Sequence, residues 1–317
     1  MPERSHSFFR GKPEEVEAGL RFEFIDKNRD RWPVAFMCRL FGVTPGGYRK
    51  WRRNRNRPYK HAALLAMMLE ILAEDEENQN YGVERMYAAL KLRGRTESKS
   101  TVARVMRANG LTQKIKRKPN GLTKSEKEAQ KSDNLINRDF SADAPNEKWV
   151  TDITQLPTAD GTLYISGIFD CYDSTAVGLT MDDNMRKELV IDSLKQAVTM
   201  YGAGAILHSD RGSQYTSQEF RDTLAGFGIR QSMNSAGGRC HDNAKCESMW
   251  ARAKVEKFYN FDTSKMPMEV VKRLVFKYFM GYWNNRRICS AIGGMPPAMK
   301  RAQFYAQQAY AQRADAA

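Results

Sequence analysis

Apolar positions recur at two different periods along this 317-residue chain, and the period changes near residue 147. Before that point the spacing is three and four, as in helices with one buried face. Pro33–Phe41 followed by Gly42–Tyr48 reads as helix, turn, helix, with Gly42 at the tight turn. Leu64, Leu65, Met68, Leu69 and Leu72 make a core stripe on a helix over 62–78. Further helices begin at Tyr81 and at Ser98, where Ser and Thr residues supply caps. The following stretch, rich in Lys, Asn, Ser and Pro, reads as a linker.

From Glu147 the period becomes two. Trp149–Leu156 alternates, Asp160 and Gly161 signal a hairpin turn, and Thr162–Phe169 and Ala176–Met181 follow as strands. A helix over Lys187–Tyr201, a short strand Ala205–Leu207, a helix Ser217–Phe227 and a strand Ile229–Met233 come next. A Gly-rich loop, Ser235–His241, leads into helices over Asp242–Tyr259 and Pro267–Asn284. Three strands, helix, strand, helix, strand, helix is the order of the ribonuclease H-like α/β fold. The expected architecture is a mixed five-stranded sheet with flanking helices, preceded by small all-α helix-turn-helix-like units. The expected division is 1–60 helical and basic, 61–120 a second helix-turn-helix-like unit, 121–146 a basic linker, 147–300 the α/β core, and 301–317 a tail.

Composition narrows the partners. The chain is 41% apolar and 28% charged, which suits a soluble protein with a sizeable core. No apolar run approaches the ~18 residues of a membrane span, and residues 1–12 lack the apolar stretch of a secretory signal. Cys38, Cys171, Cys240, Cys246 and Cys289 are odd in number and form no C-x-x-C, so reduced thiols and a cytoplasmic location are expected. Cys240, His241 and Cys246 lack the second ligand pair that a structural zinc site needs. The net charge is +14, and residues 1–140 hold 30 basic against 18 acidic residues. No acid occurs from Arg31 through Leu69. Such concentrated positive charge points to nucleic acid. Arg49, Lys50, Arg52 and Arg53, interleaved with Tyr48 and Trp51, are candidate phosphate contacts, and Arg104 lies on the polar face of the later helix.

Three acids stand out by placement. Asp152 lies mid-strand, where an isolated buried acid is unfavourable unless it faces a site or a cation. Asp210 follows a short buried strand, at the kind of strand end where α/β sheets place ligands. Glu247 sits on the helix after the Gly-rich loop, with Asn243, Trp250, Ala251 and Lys254 on the same face. Together they form a candidate oxygen-donor set for Mg²⁺ or Mn²⁺, and two such ions suit phosphoryl transfer. Lys254 and Lys257 are candidates for holding a DNA strand near the metals. Arg211 and Gln214 either orient Asp210 or contact phosphate. Asp170 and Asp173 read as structural, and the 282–287 aromatic-basic cluster suits either packing or DNA contact.

These motifs resemble a known family. Trp149-Val-Thr-Asp152-Ile-Thr, His208-Ser-Asp210-Arg-Gly-Ser-Gln-Tyr-Thr-Ser217 and Asp242-Asn-Ala-x-x-Glu247-Ser resemble the integrase catalytic core of bacterial insertion-sequence transposases. The match is to the second-frame (OrfB) product of the insertion sequence three family, with retroviral integrases as wider kin. It extends upstream through Cys38–Trp51 and Tyr81-Gly82, and downstream through Tyr282–Arg287 to Pro297, roughly residues 33–300. The resemblance implies a metal-dependent DDE recombinase that cleaves element ends and joins them to target DNA, with Asp152, Asp210 and Glu247 as catalytic metal ligands. Asn243 and Lys254 carry over as motif neighbours. Implied partners are the terminal inverted repeats, target DNA, further copies of the chain on DNA, and a first-frame (OrfA) product or frameshift fusion. No heptad run is visible in this chain.

Three features depart from the family pattern. Thirty-six residues separate Asp210 from Glu247, one more than usual, with the extra residue in Ser235–His241. Met249-Trp250 replaces a common Phe pair, and Cys289 stands where His is common. Two other readings remain open on the sequence: a catalytically inactive DNA-binding regulator, and a ribonuclease H-like nuclease for RNA–DNA hybrids.

Overall fold

The computed structural model describes residues 17–57, 59–112, 132–235 and 240–315. The chain divides into two compact units, one ending at Ala66 and the other beginning at Met67. In the first, α1 (Ala18–Asn28), α2 (Val34–Leu40) and α3 (Pro45–Asn54) enclose Ile25, Met37, Cys38, Phe41 and Tyr48. Gly42 turns the chain at φ 62°, a conformation that suits a residue without Cβ. Thr44 then caps α3 by accepting the Gly47 amide at 3.0 Å, and Pro45 fills the first helical position.

α4 (Ala62–Ala73) carries the chain past the division, and α5 (Val83–Leu92) and α6 (Lys99–Ala108) follow. Next come β1 (Lys148–Thr158), β2 (Gly161–Asp170), β3 (Ala176–Asp182), α7 (Lys187–Tyr201), β4 (Ile206–Ser209), α8 (Ser213–Thr216), α9 (Gln218–Gly226) and β5 (Arg230–Met233). Last are α10 (Ala244–Glu256), α11 (Met268–Phe276), a π-helical continuation over Lys277–Trp283, and α12 (Pro297–Asp315).

The strands form one sheet in the order β3-β2-β1-β4-β5. β1, β2 and β3 pair antiparallel, and β4 and β5 add in parallel beyond β1. This is the ribonuclease H-like arrangement anticipated from the element order. Strand alternation sends side chains to both faces. Val150, Leu163, Ile165 and Phe169 meet α10 and α11, while Trp149, Ile168, Val177 and Leu207 meet α7 and α9. The hairpin at Asp160 also starts α11, because the Asp160 carboxylate accepts the Met268 amide at 2.7 Å.

Two contacts cross the limits of the expected division. α5 and α6 belong to the same compact unit as the sheet, joined to it through polar contacts that hydrophobic spacing does not reveal. Residues 301–315, expected as a tail, continue α12. Its anchor is Arg301, which is buried and pairs with Asp170 and Asp173 at 2.6 Å each. Residues 113–131, which include the start of the expected linker, lie outside the described residues. The end of that linker covers the sheet edge: the Met233 amide donates to the Asp133 carbonyl at 3.1 Å, and Ile136 is buried.

Candidate active site

Asp152 lies on β1, on the face shared with Val150, which is packed by α10. Val150 pairs with His208 across β1 and β4, so two residues further along both strands Asp152 comes level with Asp210. Asp210 is fixed at the end of β4 by the Gly212 amide, which donates to its carboxylate at 2.9 Å. Across β2, Asp152 stands opposite Gly167. The indole of Trp250 on α10 fills the space where a side chain would be: a Cβ at Gly167 would lie 2.5 Å from Trp250 Cζ2. A glycine inside a strand often marks such an approach. Here it brings α10, and with it Glu247, against the strand that carries Asp152.

The start of α10 is tied to the same point. Asn243 is buried, and its Nδ2 donates to the Thr151 carbonyl at 2.9 Å. The Thr151 hydroxyl meets the Tyr215 hydroxyl at 3.3 Å. Residues from β1, α8 and α10 therefore converge on Thr151, the neighbour of Asp152. Just upstream, buried Asp242 receives Arg138 Nε at 2.7 Å and the Ser235 amide at 3.1 Å. Asp242 belongs to the quoted motif but carried no assigned role; its run of polar neighbours gave no sign of burial.

The electrostatics single out Asp152. Its carboxyl is pushed up to about 8, first by burial, then by the charge of Asp210 and of Glu247. Burial also raises Asp210, with partial relief from the Gly212 amide. Lys254 is half-buried, and burial lowers its pKa against the opposing pull of Asp152. Glu247 is exposed in the first turn of α10. Among the described residues no three His, Cys, Asp or Glu side chains close to metal-binding distance. The three acids are thus electrostatic neighbours, one on a strand, one just past a strand end and one exposed on a helix.

The other candidates divide. Arg49, Lys50 and Arg53 are exposed on α3, and Arg104 is exposed on α6. Arg52 pairs with Asp26 at 3.4 Å, and Arg55 binds the same carboxylate. Arg211 Nε donates to the Asn234 carbonyl and Gln214 Nε2 to the Met185 carbonyl, both at 2.9 Å. Those contacts fix the loop after Asp210. Lys257 is the correction: it is buried and pairs with Glu76 and Glu77, because it follows the last turn of α10 on a side covered by residues 76–85. It does not reach toward the acids as Lys254 does. In the 282–287 cluster, buried Trp283, Asn284 and Arg287 all pack. Asn284 bonds both the amide and the carbonyl of Ala176, at 2.9 and 3.0 Å. Cys289 is buried and its backbone pairs with Met295. Residues 236–239, where the one-residue expansion was expected, lie outside the described residues.

Known proteins match this layout. Residues 142–238 match the integrase core domain and residues 61–119 an HTH-like domain. The chain is 33% identical over 273 residues to the insertion element IS600 uncharacterized 31 kDa protein of Shigella sonnei, covering 85% of this chain and 98% of that protein. It is 31% identical over 282 residues to the transposase InsF for insertion sequence IS3A of Escherichia coli strain K12, covering 88% of this chain and 97% of that protein. The chain belongs to the IS3-type insertion-sequence transposases. Among solved structures, the HTLV-2 integrase catalytic core domain in complex with magnesium, in its dimeric form, aligns at a TM-score of 0.38 and 14% identity, over 50% of this chain and 97% of that one. This transposase thus joins an HTH-like region to an integrase core, and among its described residues no helix is long and apolar enough to cross a membrane.

Proposed function

We propose that this transposase cleaves and joins DNA strands at a divalent-metal site built on Asp152, Asp210 and Glu247. The observation that carries the reading is the unbalanced charge at Asp152, whose carboxyl stands at about 8 through burial and then the charge of Asp210 and Glu247. A hard cation relieves such repulsion, and an all-oxygen donor set fits Mg²⁺ or Mn²⁺. Bound there, one or two such ions would neutralise and align a phosphodiester for in-line displacement.

The chain's own groups have separate tasks. β1 and β4 hold Asp152 and Asp210 level, while Asn243 and Trp250 set α10. Lys254, near Asp152, would contact the phosphate of the cut strand. His208 is no candidate general base, since its ring nitrogens engage Ser232 at 2.8 Å and Asn234 at 3.0 Å. Hydrolysis at the element's end would free a 3′-hydroxyl, and that hydroxyl would attack a target phosphodiester. Arg49, Lys50 and Arg53 on α3 and Arg104 on α6 would supply phosphate contacts. A first-frame partner or fusion would add end recognition, and further copies of the chain would pair two ends.

The test is incubation of the purified chain with Mg²⁺ or Mn²⁺ and labelled duplexes carrying the element's terminal repeats. Strand-specific nicking that disappears in Asp152→Asn is the expected result. DNA binding without metal-dependent nicking would favour the regulator reading, and cleavage confined to RNA–DNA hybrids the nuclease reading.

A further inference from the structure

We infer that Arg85, in the HTH-like region, is a positioning residue for α10: it grips the end of the helix opposite Glu247 and so helps set where that acid stands. The inference rests on the strand-transfer reading of Glu247. Glu256 lies nine positions after Glu247 on one helix, about 14 Å at 1.5 Å per residue. A tilt at one end therefore displaces the other.

Glu256 is buried and already compensated from within the core. Arg287 donates to it from Nε at 2.8 Å and Nη2 at 2.7 Å, and the Tyr278 hydroxyl donates at 3.0 Å. Arg85 brings a second guanidinium to the same carboxylate at 2.5 Å, from α5. One carboxylate needs one countercharge, so the second cation does something other than neutralise. It joins α5 to the last turn of α10.

Other contacts converge on that turn. Asn80 Nδ2 donates to the Glu256 carbonyl at 3.0 Å, beside Asn260 Nδ2 at 2.9 Å, so the acceptor at this helix end takes one donor from each side of the joint. Lys257, the next residue, pairs with Glu76 at 2.9 Å and with buried Glu77. The core also approaches α5 closely at Gly294, whose φ is 75° and where a Cβ would lie 2.8 Å from Ala88 Cβ. α10 is thus held at Asn243, at Trp250 and at Glu256, and at the third of these the residue 80–85 segment joins the core in holding it. The helix pair that carries Arg104 and the helix that carries Glu247 are joined at this turn, with Glu256 at its centre.

The experiment uses the full chain as Arg85→Gln, Arg85→Lys and Asn80→Ala. Hydrogen exchange across 244–250 is read without metal or DNA, where Arg85→Gln should speed exchange about tenfold. Nicking is read as a single-turnover rate per preformed DNA complex, which should fall about tenfold through misplacement of Glu247, with DNA affinity, measured separately, unchanged. Arg85→Lys should recover most of both effects. A role confined to stability would lower the unfolding midpoint while leaving exchange at 244–250 and the per-complex rate at wild-type values, and that result overturns the inference. Should Arg85→Gln fail to fold, Asn80→Ala decides by the same two readouts. A wild-type chain that never nicks DNA counts against the strand-transfer reading, and the exchange measurement then still decides the attachment.

Discussion

The two ends of α10 treat carboxylates in opposite ways. Glu256, at the C-terminal end, is buried between Arg287 and Arg85, and although burial alone would raise its pKa, the Arg287 hydrogen bonds and both guanidinium charges bring it down to about 2. At the N-terminal end Glu247 adds its charge to Asp152, which is pushed up to about 8. One acid was folded together with its countercharge; the other adds its charge to that of Asp210 against Asp152. A buried ion pair is sound mainly as a unit, since removing one partner strands the other. A like-charged cluster is the reverse case: it strains the fold until a cation arrives, and such strained carboxyls gather at functional sites.

Breaking this contrast at the Asp152 end should have the largest effect on activity. Asp152→Asn or Glu247→Gln should lower nicking about a thousandfold or more, equivalent to ~4 kcal/mol of transition-state stabilisation. Metal-free Asp152→Asn should also unfold at a higher temperature than wild type, because a repelled carboxylate is gone. Calorimetry without metal and a nicking assay with it check the two halves. A variant that lost activity together with stability would place Asp152 among the compensated acids.

The same cut at the other end should damage the fold. Arg287→Met removes two charge-assisted hydrogen bonds from buried Glu256 and leaves Arg85 as its countercharge, and should lower the unfolding free energy by about 1.5–3 kcal/mol in urea titration. Replacing Glu256 and Arg287 together by apolar residues should lose far less, so the double variant tests whether the pair is sound only as a unit.

Acid sharpens the comparison further. The Glu256 carboxyl is lowered from its ordinary 4.5 to about 2 in the folded chain. The unfolded chain takes up its proton first as pH falls, so the contribution is fully present above ~4.5 and is lost progressively down to ~2, amounting to about 3 kcal/mol. Urea unfolding between pH 2 and 6 should show this loss in wild type, and Glu256→Gln should flatten that part of the profile.

The comparison also marks what could be read from the chain. Asp152 and Asp210 stand out as candidates because a carboxylate is out of place mid-strand or at a buried strand end, whereas Glu247, an exposed acid in the first turn of a helix, stands out only through the motif around it. The strand order was legible because periods of two and of three to four are set by backbone geometry. The Glu256 pairs were not, since Arg85 and Glu256 are 171 residues apart and neither departs from the pattern of an exposed helical residue. Lys257 was misread for the same reason. It shares a helix end with Lys254, and only tertiary packing separates the lysine near Asp152 from the one buried against Glu76 and Glu77. The α12 anchor was likewise hidden, because Arg301 binds acids on a distant strand and loop.

The smallest effect concerns how α10 rests on the sheet beside Asp152. A Cβ at Gly167 would come within 2.5 Å of Trp250 Cζ2 and 2.9 Å of Cη2, closer than packed carbons tolerate. The indole is wedged between Phe169 and Phe279, at ring-centroid distances of 5.3 Å from each, so it has little room to yield. Gly167→Ala should therefore cost about 1–3 kcal/mol by overpacking. Part of the strain should appear as displacement of α10, lowering nicking more than the lost stability explains. Trp250→Phe removes the atoms that would collide, so the double variant should recover most of both losses. A double-mutant cycle of unfolding free energies measures the coupling. Additive losses would mean that the glycine serves the strand alone, and that Glu247 is placed by the two polar attachments at the ends of its helix without help from the aromatic contact between them.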